Sequence, residues 1–179
     1  MPVSPARAAA FDILLRVERE SSYASELLHS ETCKHLSTPD HALATELVMG
    51  VLRWRSRLDN EIATASSQPI SRLDLEILVS LRLALYQFGW LDRIPARAAL
   101  HESVELVKRA RKRSAAPFVN AVLRKLSGKR ASVEPDPLCA SVSPVVSPEA
   151  LAEAYSHPLW LVERWISHYG LAYAEAICK

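Results

Sequence analysis

The sequence predicts an all-α protein, a bundle of helices packed around one central, buried helix. Apolar residues recur at intervals of three and four through most of the chain, which is the period of an amphipathic helix. No segment shows the strict alternation of apolar and polar residues that is typical of a half-buried strand. The stretch from Leu73 to Leu91 is apolar at almost every position, as expected for a helix buried on all sides.

The helices before this central stretch begin at proline-containing pairs. Ser4-Pro5 combines a cap residue with proline at the first helical position and predicts the start of the first helix. A weaker amphipathic stretch covers residues 23–36. Thr38-Pro39 predicts the start of a helix of about 25 residues, whose apolar stripe ends at Ile62. Gly50 weakens this helix by about 1 kcal/mol relative to alanine, which indicates close packing against another helix or a bend.

Two further helices follow the central one. Ile94-Pro95 starts the first of them. The second covers residues 115–126, and Gly128 is predicted to end it because glycine favours the left-handed conformation that follows many helices. Together these helices form the predicted first domain, residues 1–130.

A change of composition separates this domain from a short helical tail. Residues 131–148 are rich in proline and serine and are predicted to be a linker. The remaining residues, 149–179, contain two short helical patterns and the beginning of a third after Gly170. Because this last pattern is unfinished, we expect the sequence to be a fragment of a longer protein. The first 130 residues hold 20 Lys+Arg against 14 Asp+Glu, while the rest hold 2 against 6, so different roles are predicted for the two parts.

The sequence contains no recognisable catalytic or cofactor-binding pattern. Its four glycines are too far apart for a nucleotide loop, and its six histidines lack the spacing of zinc enzymes. Cys33 beside Lys34 is a conceivable nucleophile, although a surface or half-buried cysteine is the preferred interpretation. Glu102 and Glu105 could act as an acid–base pair, but an ion pair of Glu105 with Arg109 and a solvent-facing Glu102 are favoured. The chain as given is therefore predicted not to be an enzyme.

The cysteines and the hydropathy profile predict a cytoplasmic protein. Three widely spaced cysteines form no disulfide framework and fit a reducing compartment. No apolar run approaches the roughly 20 residues that span a bilayer, and the N-terminus lacks the apolar core of a signal peptide. No membrane partner is expected.

Basic residues are the strongest candidates for a binding function. Five of the six residues from Lys108 to Arg113 are cations, more than the dipole of one helix end accounts for. Such groups can hold the phosphates of structured RNA with an affinity that falls with salt, the alternative being a solvated charged face. The candidate RNA-binding residues are Arg7, Arg53, Arg55, Arg57, Lys108, Arg109, Arg111, Lys112, Arg113, Lys125, Lys129 and Arg130.

Three segments resemble the NusB-like helical domain, in its order and at its separations. They are DHALATELVMGVLR at residues 40–53, RIPARAALHESVELVK at 93–108 and FVNAVLR at 118–124. The resemblance covers residues 4 to 128 and implies a NusB-like bundle that binds RNA.

The tail resembles the segment that follows this domain in RsmB/Sun-type ribosomal RNA small-subunit methyltransferases, through SHPLWLVERWISHYG at residues 156–170. This resemblance implies the RNA-binding, substrate-positioning domain of an S-adenosylmethionine-dependent enzyme that methylates carbon 5 of a cytosine in 16S rRNA. Residues 149–179 would then begin the N-terminal subdomain of the methyltransferase. The implied partners are 16S rRNA and the protein's own downstream methyltransferase domain, which would bind the cofactor; a homodimer is left open.

Two alternative functions remain at this point. One is a NusB-type transcription antitermination factor, a regulatory protein that binds RNA without modifying it. The other is a helical domain that docks proteins and does not bind RNA.

Overall fold

The structure, a computed structural model, describes the backbone of residues 3–131 and 147–179. In these ranges every regular element is helical, which confirms the predicted all-α class. The helices are α1 (Pro5–Glu20), α2 (Ala24–Leu28), α3 (Glu31–Lys34), α4 (Thr38–Arg53), α5 (Arg55–Ser66), α6 (Leu75–Trp90), α7 (Ala96–Arg109), α8 (Ala116–Ala131), α9 (Pro148–Tyr155), α10 (Leu159–Tyr169) and α11 (Leu171–Cys178). Two short 3-10 turns, Ile70–Arg72 and Arg113–Ala115, precede α6 and α8.

Helix α6 is the centre of the bundle, as its apolar sequence predicts. Every residue from Ile77 to Gln87 is buried. The helix packs against α1, α4, α5, α7 and α8, so its whole circumference is covered by protein. A helix without a solvated face has no need of a polar stripe, and this explains the near-continuous apolar run.

The prediction of one continuous helix from Thr38 to Ile62 is wrong, because the chain bends at Trp54. Trp54 has φ −101° and ψ 14°, outside helical values, and separates α4 from α5. Its ring lies against that of Trp90 on α6, with centroids 5.2 Å apart. The bend lets α4 and α5 each pack along α6 rather than leave it on a straight path. The interior Gly50 marks a close approach, since a Cβ there would overlap the ring of Tyr86.

The start of α4 at Thr38 is as predicted, whereas the predicted end of α8 differs from the structure. The cap of α4 is Ser37, whose Oγ accepts a hydrogen bond from the backbone of Asp40 at 3.3 Å. Helix α8 continues through Gly128 to Ala131, so the prediction that Gly128 ends it is wrong. The loss of about 1 kcal/mol that a helical glycine causes is too small to stop a helix that is packed along its length.

The tail has a small core of its own. Helices α9, α10 and α11 enclose Leu151, Tyr155, Val162, Ala174 and Cys178, all buried. Helix α9 also contacts α5 of the bundle. Most of the predicted linker, residues 132–146, lies outside the described residues. Across the described ranges, no helix combines the length and the apolarity needed to cross a membrane.

Candidate nucleic-acid interface

The predicted RNA-binding residues lie in several separate places. Arg7 is in the interior of the bundle, and Arg53, Arg55 and Arg57 flank the bend between α4 and α5. The cluster from Lys108 to Arg113 covers the end of α7 and the turn that leads to α8. Lys125 lies on α8, whereas the side chains of Lys129 and Arg130 are outside the described residues.

Arg7 makes structural contacts inside the bundle, and its contact with RNA stays a prediction. It is 8% exposed. Its Nε donates to Oε1 of Gln87 at 2.6 Å, and its Nη1 donates to Oε1 of Glu102 at 2.9 Å. Glu102 also accepts a hydrogen bond from the backbone N–H of Ser4 at 2.8 Å. The guanidinium therefore joins the start of α1 to α6 and α7, and Glu102 does not face water as predicted.

The three arginines around the bend are all engaged within the chain. Arg55 pairs with Glu18 at 3.1 Å, and Arg57 pairs with Glu61 at 3.4 Å. The guanidinium of Arg53 contacts the end of α9. Two of the three guanidinium charges are thus paired with carboxylates, whereas that of Arg53 is bonded to neutral groups of the tail.

The guanidinium groups of Arg53 and Arg57 also lie over aromatic rings. Arg53 is 5.2 Å and Arg57 5.9 Å from the centroid of Trp54, and Arg57 is 5.5 Å from that of Trp90. Such cation–π contacts hold the arginine side chains against the bundle surface. Each contact contributes about 0.5–1 kcal/mol at exposed sites.

The loop from Lys108 to Arg113 has a defined backbone conformation. The N–H of Lys112 donates to the carbonyl of Val107 at 3.0 Å, and that of Arg111 to the carbonyl of Lys108 at 3.1 Å. Arg111 adopts the left-handed conformation, with φ 62°, which is unfavourable for a residue with a Cβ. These hydrogen bonds close a tight turn at the end of α7. The basic side chains of this turn point outward.

Some cations of this loop are paired and others are not. Lys108 pairs with Glu105 at 2.7 Å and Arg109 with Asp12 at 2.7 Å. Lys112 pairs with Asp74 at 2.8 Å, and this hydrogen bond, together with the charge of Asp74, raises the pKa of Lys112.

Arg111 and Arg113 are exposed, and neither guanidinium has a partner among the residues that the structure describes. Arg72, in the 3-10 turn that precedes α6, is likewise exposed and unpaired within the described ranges. It lies two residues before Asp74, the partner of Lys112. We call Arg72, Arg109, Arg111, Lys112 and Arg113 the loop surface. Its cations outnumber the nearby carboxylates, so it is a positive patch even after the ion pairs are counted.

Three further basic residues were not predicted from the sequence. Arg93, Arg97 and Arg124 are exposed, with no partner in the described parts of the chain. Arg97 and Arg124 line a shallow groove between the start of α7 and the end of α8. The spacing of four between Arg93 and Arg97 was a local signal, but the adjacency of Arg124 depends on the packing of α7 against α8. Lys125 donates to the carbonyl of Ala65 at 3.0 Å and joins α8 to α5.

The residues considered for catalysis are occupied in other ways. Cys33 is 3% exposed rather than half-buried, and burial raises the pKa of its thiol, which opposes thiolate formation. Glu105 binds Lys108, not Arg109 as predicted, and this contact lowers the pKa of its carboxyl. Because Glu102 binds Arg7, the two carboxylates share no site. Within the described ranges, no group of three or more His, Cys, Asp and Glu side chains is placed to hold a metal ion.

Comparison with known proteins gives this surface a context. The model of the NusB family matches residues 4–128. Over its whole length the chain is 35% identical to a protein of Bacillus subtilis named probable ribosomal RNA small subunit methyltransferase B, and it spans 38% of that protein. It is 31% identical to the transcription antitermination protein NusB of Acidothermus cellulolyticus, over 74% of the chain and 91% of the relative.

A solved structure agrees with these matches. The crystal structure of the antitermination factors NusB and NusE in complex with dsRNA contains a chain that is 25% identical, with a TM-score of 0.64. The match covers 70% of this chain and 95% of that one. The shared part is thus the bundle and not the tail, since α9 to α11 lie beyond the family match.

Proposed function

The chain belongs to the NusB family, and from that premise we propose that its bundle binds RNA and positions it for a 16S rRNA cytosine-C5 methyltransferase. The observation that carries this proposal is the loop surface, where Arg111 and Arg113 are exposed and unpaired among the described residues. The match over the whole of this chain, and 38% of the relative, to a protein named probable ribosomal RNA small subunit methyltransferase B supports the choice of substrate class.

The chemistry of the loop surface suits a phosphate backbone. A guanidinium presents several N–H groups in one plane and binds phosphate oxygens in pairs, which an ammonium does not. The ion pairs of Arg109 and Lys112 hold their side chains near Arg111 and Arg113 without cancelling the excess charge. Contacts of this kind recognise the shape of an RNA helix rather than its sequence. We therefore assign to the bundle affinity for structured RNA, with the choice of cytosine left to other parts of the protein.

Methyl transfer itself is assigned to a further part of the protein. The chain spans little more than a third of the methyltransferase relatives that it matches. We propose that S-adenosylmethionine is bound by the downstream methyltransferase domain that these relatives imply.

The surface of the tail supports packing against such a domain. Large apolar side chains are exposed on a unit with a very small core, and such surfaces favour burial against protein. They are Leu159, Trp160, Tyr169, Leu171, Tyr173 and Ile177.

The test is a binding titration of the chain with a fluorescently labelled hairpin of small-subunit rRNA at several salt concentrations. We expect the affinity to fall with salt, because bound cations displace counterions from the RNA. The double variant Arg111→Ala/Arg113→Ala should lower the slope of log K against log salt by about 1 to 2. The matched control is Arg164→Ala, which removes an exposed guanidinium from the tail. No affinity for the hairpin, or a double variant that binds like the control, overturns the proposal.

A second candidate, transcription antitermination, rests on the match that covers 91% of the NusB protein of Acidothermus cellulolyticus. It predicts that the chain raises read-through in a transcription termination assay. The methyltransferase proposal predicts no such change. It predicts instead that charge reversal at Arg109, Arg111 and Arg113 reduces rRNA methylation by the full-length protein. Unchanged methylation favours a protein-docking bundle instead.

A further inference from the structure

The end of α9 presents unpaired carbonyl groups to the bundle. The last carbonyls of any helix lack donors from their own helix. Here the backbone closes tightly after Tyr155, because Ser156 adopts the left-handed conformation, with φ 53°. The N–H of His157 donates to the carbonyl of Ala152 at 3.0 Å. The carbonyls of Tyr155 and Ser156 are left pointing away from this closed turn, towards the bend of the bundle.

One guanidinium binds all three residues of this turn. Nη1 of Arg53 donates to the carbonyl of Tyr155 at 2.8 Å and to that of Ser156 at 3.3 Å. Its Nη2 lies 3.2 Å from Nε2 of His157. Because a guanidinium has only donors, Nε2 must be the acceptor in this contact. The cation also lies at the negative end of the α9 dipole, which is its favourable position.

Arg53 is itself held in place. It is the last residue of α4, and its guanidinium lies over the ring of Trp54 at the bend. That ring is fixed in turn by its contact with Trp90 of α6. Although Arg53 is exposed, the contact with Trp54 holds its donor groups close to the bend.

A second contact, made by α5, limits the rotation of α9 about its contact with Arg53. On α5, Nδ2 of Asn60 donates to Oε1 of Glu153 at 2.8 Å. Asn60 lies seven residues beyond Arg53, and Glu153 lies on the body of α9. The two contacts come from the end of α4 and from α5, so α9 is joined to both sides of the bend.

His157 transmits this arrangement to the rest of the tail. Its ring makes an edge-on contact with Trp165 of α10, with centroids 5.2 Å apart. It also interacts with the backbone of Cys178 at the end of α11. The contacts of His157 thus connect Arg53 to α10 and α11 as well as to α9.

We propose that the bend between α4 and α5 is an intramolecular docking site, and that Arg53 is the positioning residue that fixes the orientation of the tail relative to the bundle. RNA held on the bundle would then have a fixed direction relative to any polypeptide that packs on the tail. This docking does not require RNA. In this proposal Arg53 binds the tail rather than a phosphate group.

The test uses residual dipolar couplings of the ¹⁵N-labelled, 179-residue chain. In the unmodified protein, couplings from α1–α8 and from α9–α11 should fit one alignment tensor. Arg53→Ala should require two tensors, with faster tumbling of α9–α11. Arg53→Lys should give an intermediate result, because an ammonium cannot reach both carbonyls and His157 together. The control Arg164→Ala removes an unpaired cation from α10 and should leave one tensor.

Two results overturn the proposal: two tensors in the unmodified protein, or one unchanged tensor in Arg53→Ala. The couplings within α1–α8 report whether the bundle of each variant is folded. If Arg53→Ala does not fold, Asn60→Ala and Glu153→Ala remove the second anchor alone and must each loosen the tail. Hairpin affinity of Arg53→Ala should stay within about twofold of the unmodified protein, so failure of docking is distinct from failure of RNA binding.

Discussion

Arg82 of α6 and Asp59 of α5 form a two-point ion pair, with Nε to Oδ1 and Nη2 to Oδ2 both at 2.7 Å. The Arg82 side chain is only 3% exposed. Its remaining nitrogen, Nη1, donates to Glu18 of α1 at 2.9 Å. Glu18 also pairs with Arg55, so one buried guanidinium and its partners hold α1 and α5 on the central helix.

Asp59→Asn should strongly destabilise the bundle. The substitution removes a negative charge from a buried pair and leaves the Arg82 cation without full compensation, which costs about 3–5 kcal/mol in comparable sites. The free energy of unfolding in urea measures the effect. Arg16→Ala is the control, since its exposed pair with Glu20 contributes only about 0.3–0.5 kcal/mol. Equal losses for the two variants would contradict a structural role for the buried pair.

Two of the helical glycines, Gly50 and Gly128, should respond to alanine in opposite directions. A Cβ at Gly50 overlaps the Tyr86 ring, whose hydroxyl is bonded to Glu46 at 2.5 Å and cannot move freely. Overpacking of this kind costs about 1–3 kcal/mol, more than the roughly 1 kcal/mol gained in helix propensity.

At Gly128 no described atom outside its chain neighbours and its own helix backbone lies within 4 Å of the added Cβ, so only the gain remains. Thermal melts of the two single variants should therefore shift downwards for Gly50→Ala and upwards for Gly128→Ala. A stabilised Gly50→Ala variant would show that the Tyr86 ring yields easily.

Local sequence features predicted the helices because helix formation depends largely on residues that are close together in the sequence. The apolar run of α6 and the tail starts at Pro148, Pro158 and Gly170 are signals of this kind. Gly50 indicated a close contact or a bend in this helix, but it did not place the bend at Trp54, whose ring packs against Trp90, 36 residues along the chain.

The free cations could not be identified in the same way. Arg7 and Arg113 are both basic residues near a helix end, yet one is buried and the other exposed. What separates them is Glu102, 95 residues from Arg7, which the fold brings to 2.9 Å. Which arginines of the 108–113 cluster stay free likewise depends on where Asp12 and Asp74 lie.

Arg7→Met should separate stability from RNA binding. Methionine fills part of the buried space but leaves Glu102 and Gln87 without their common donor. We expect a loss of about 2–4 kcal/mol in the free energy of unfolding. Affinity for the rRNA hairpin should remain within about twofold when measured where the variant is fully folded. A selective loss of affinity without a loss of stability would return Arg7 to the RNA-binding set.

Docking of the tail should weaken as the solution becomes acidic. Burial, and then repulsion by Arg53, lower the pKa of His157 below its ordinary value of 6.5, although the backbone of Cys178 opposes this. The folded state therefore binds fewer protons than the unfolded state at this position. Its contribution to stability is complete above pH 6.5 and is lost as the pH falls below that value.

The groups around His157 give this titration its effect on docking. Arg53 faces it from the bundle, and Cys178, whose thiol pKa is raised by burial, approaches from α11. Protonation of Nε2 removes the acceptor used by Arg53 and places two cations 3.2 Å apart. Residual dipolar couplings should change from one tensor at pH 7.5 to two at a pH below the measured midpoint of His157.

His157→Gln provides the matched control, since its amide oxygen can accept from Arg53 but does not titrate. Its tail orientation should be the same at both pH values. A proton titration of His157 followed by NMR must give a midpoint below 6.5 in the unmodified protein and a higher one in Arg53→Ala, where the repulsion is removed. A midpoint at or above the ordinary value, or a tail that stays docked where the titration shows His157 protonated, contradicts the assigned role of this contact.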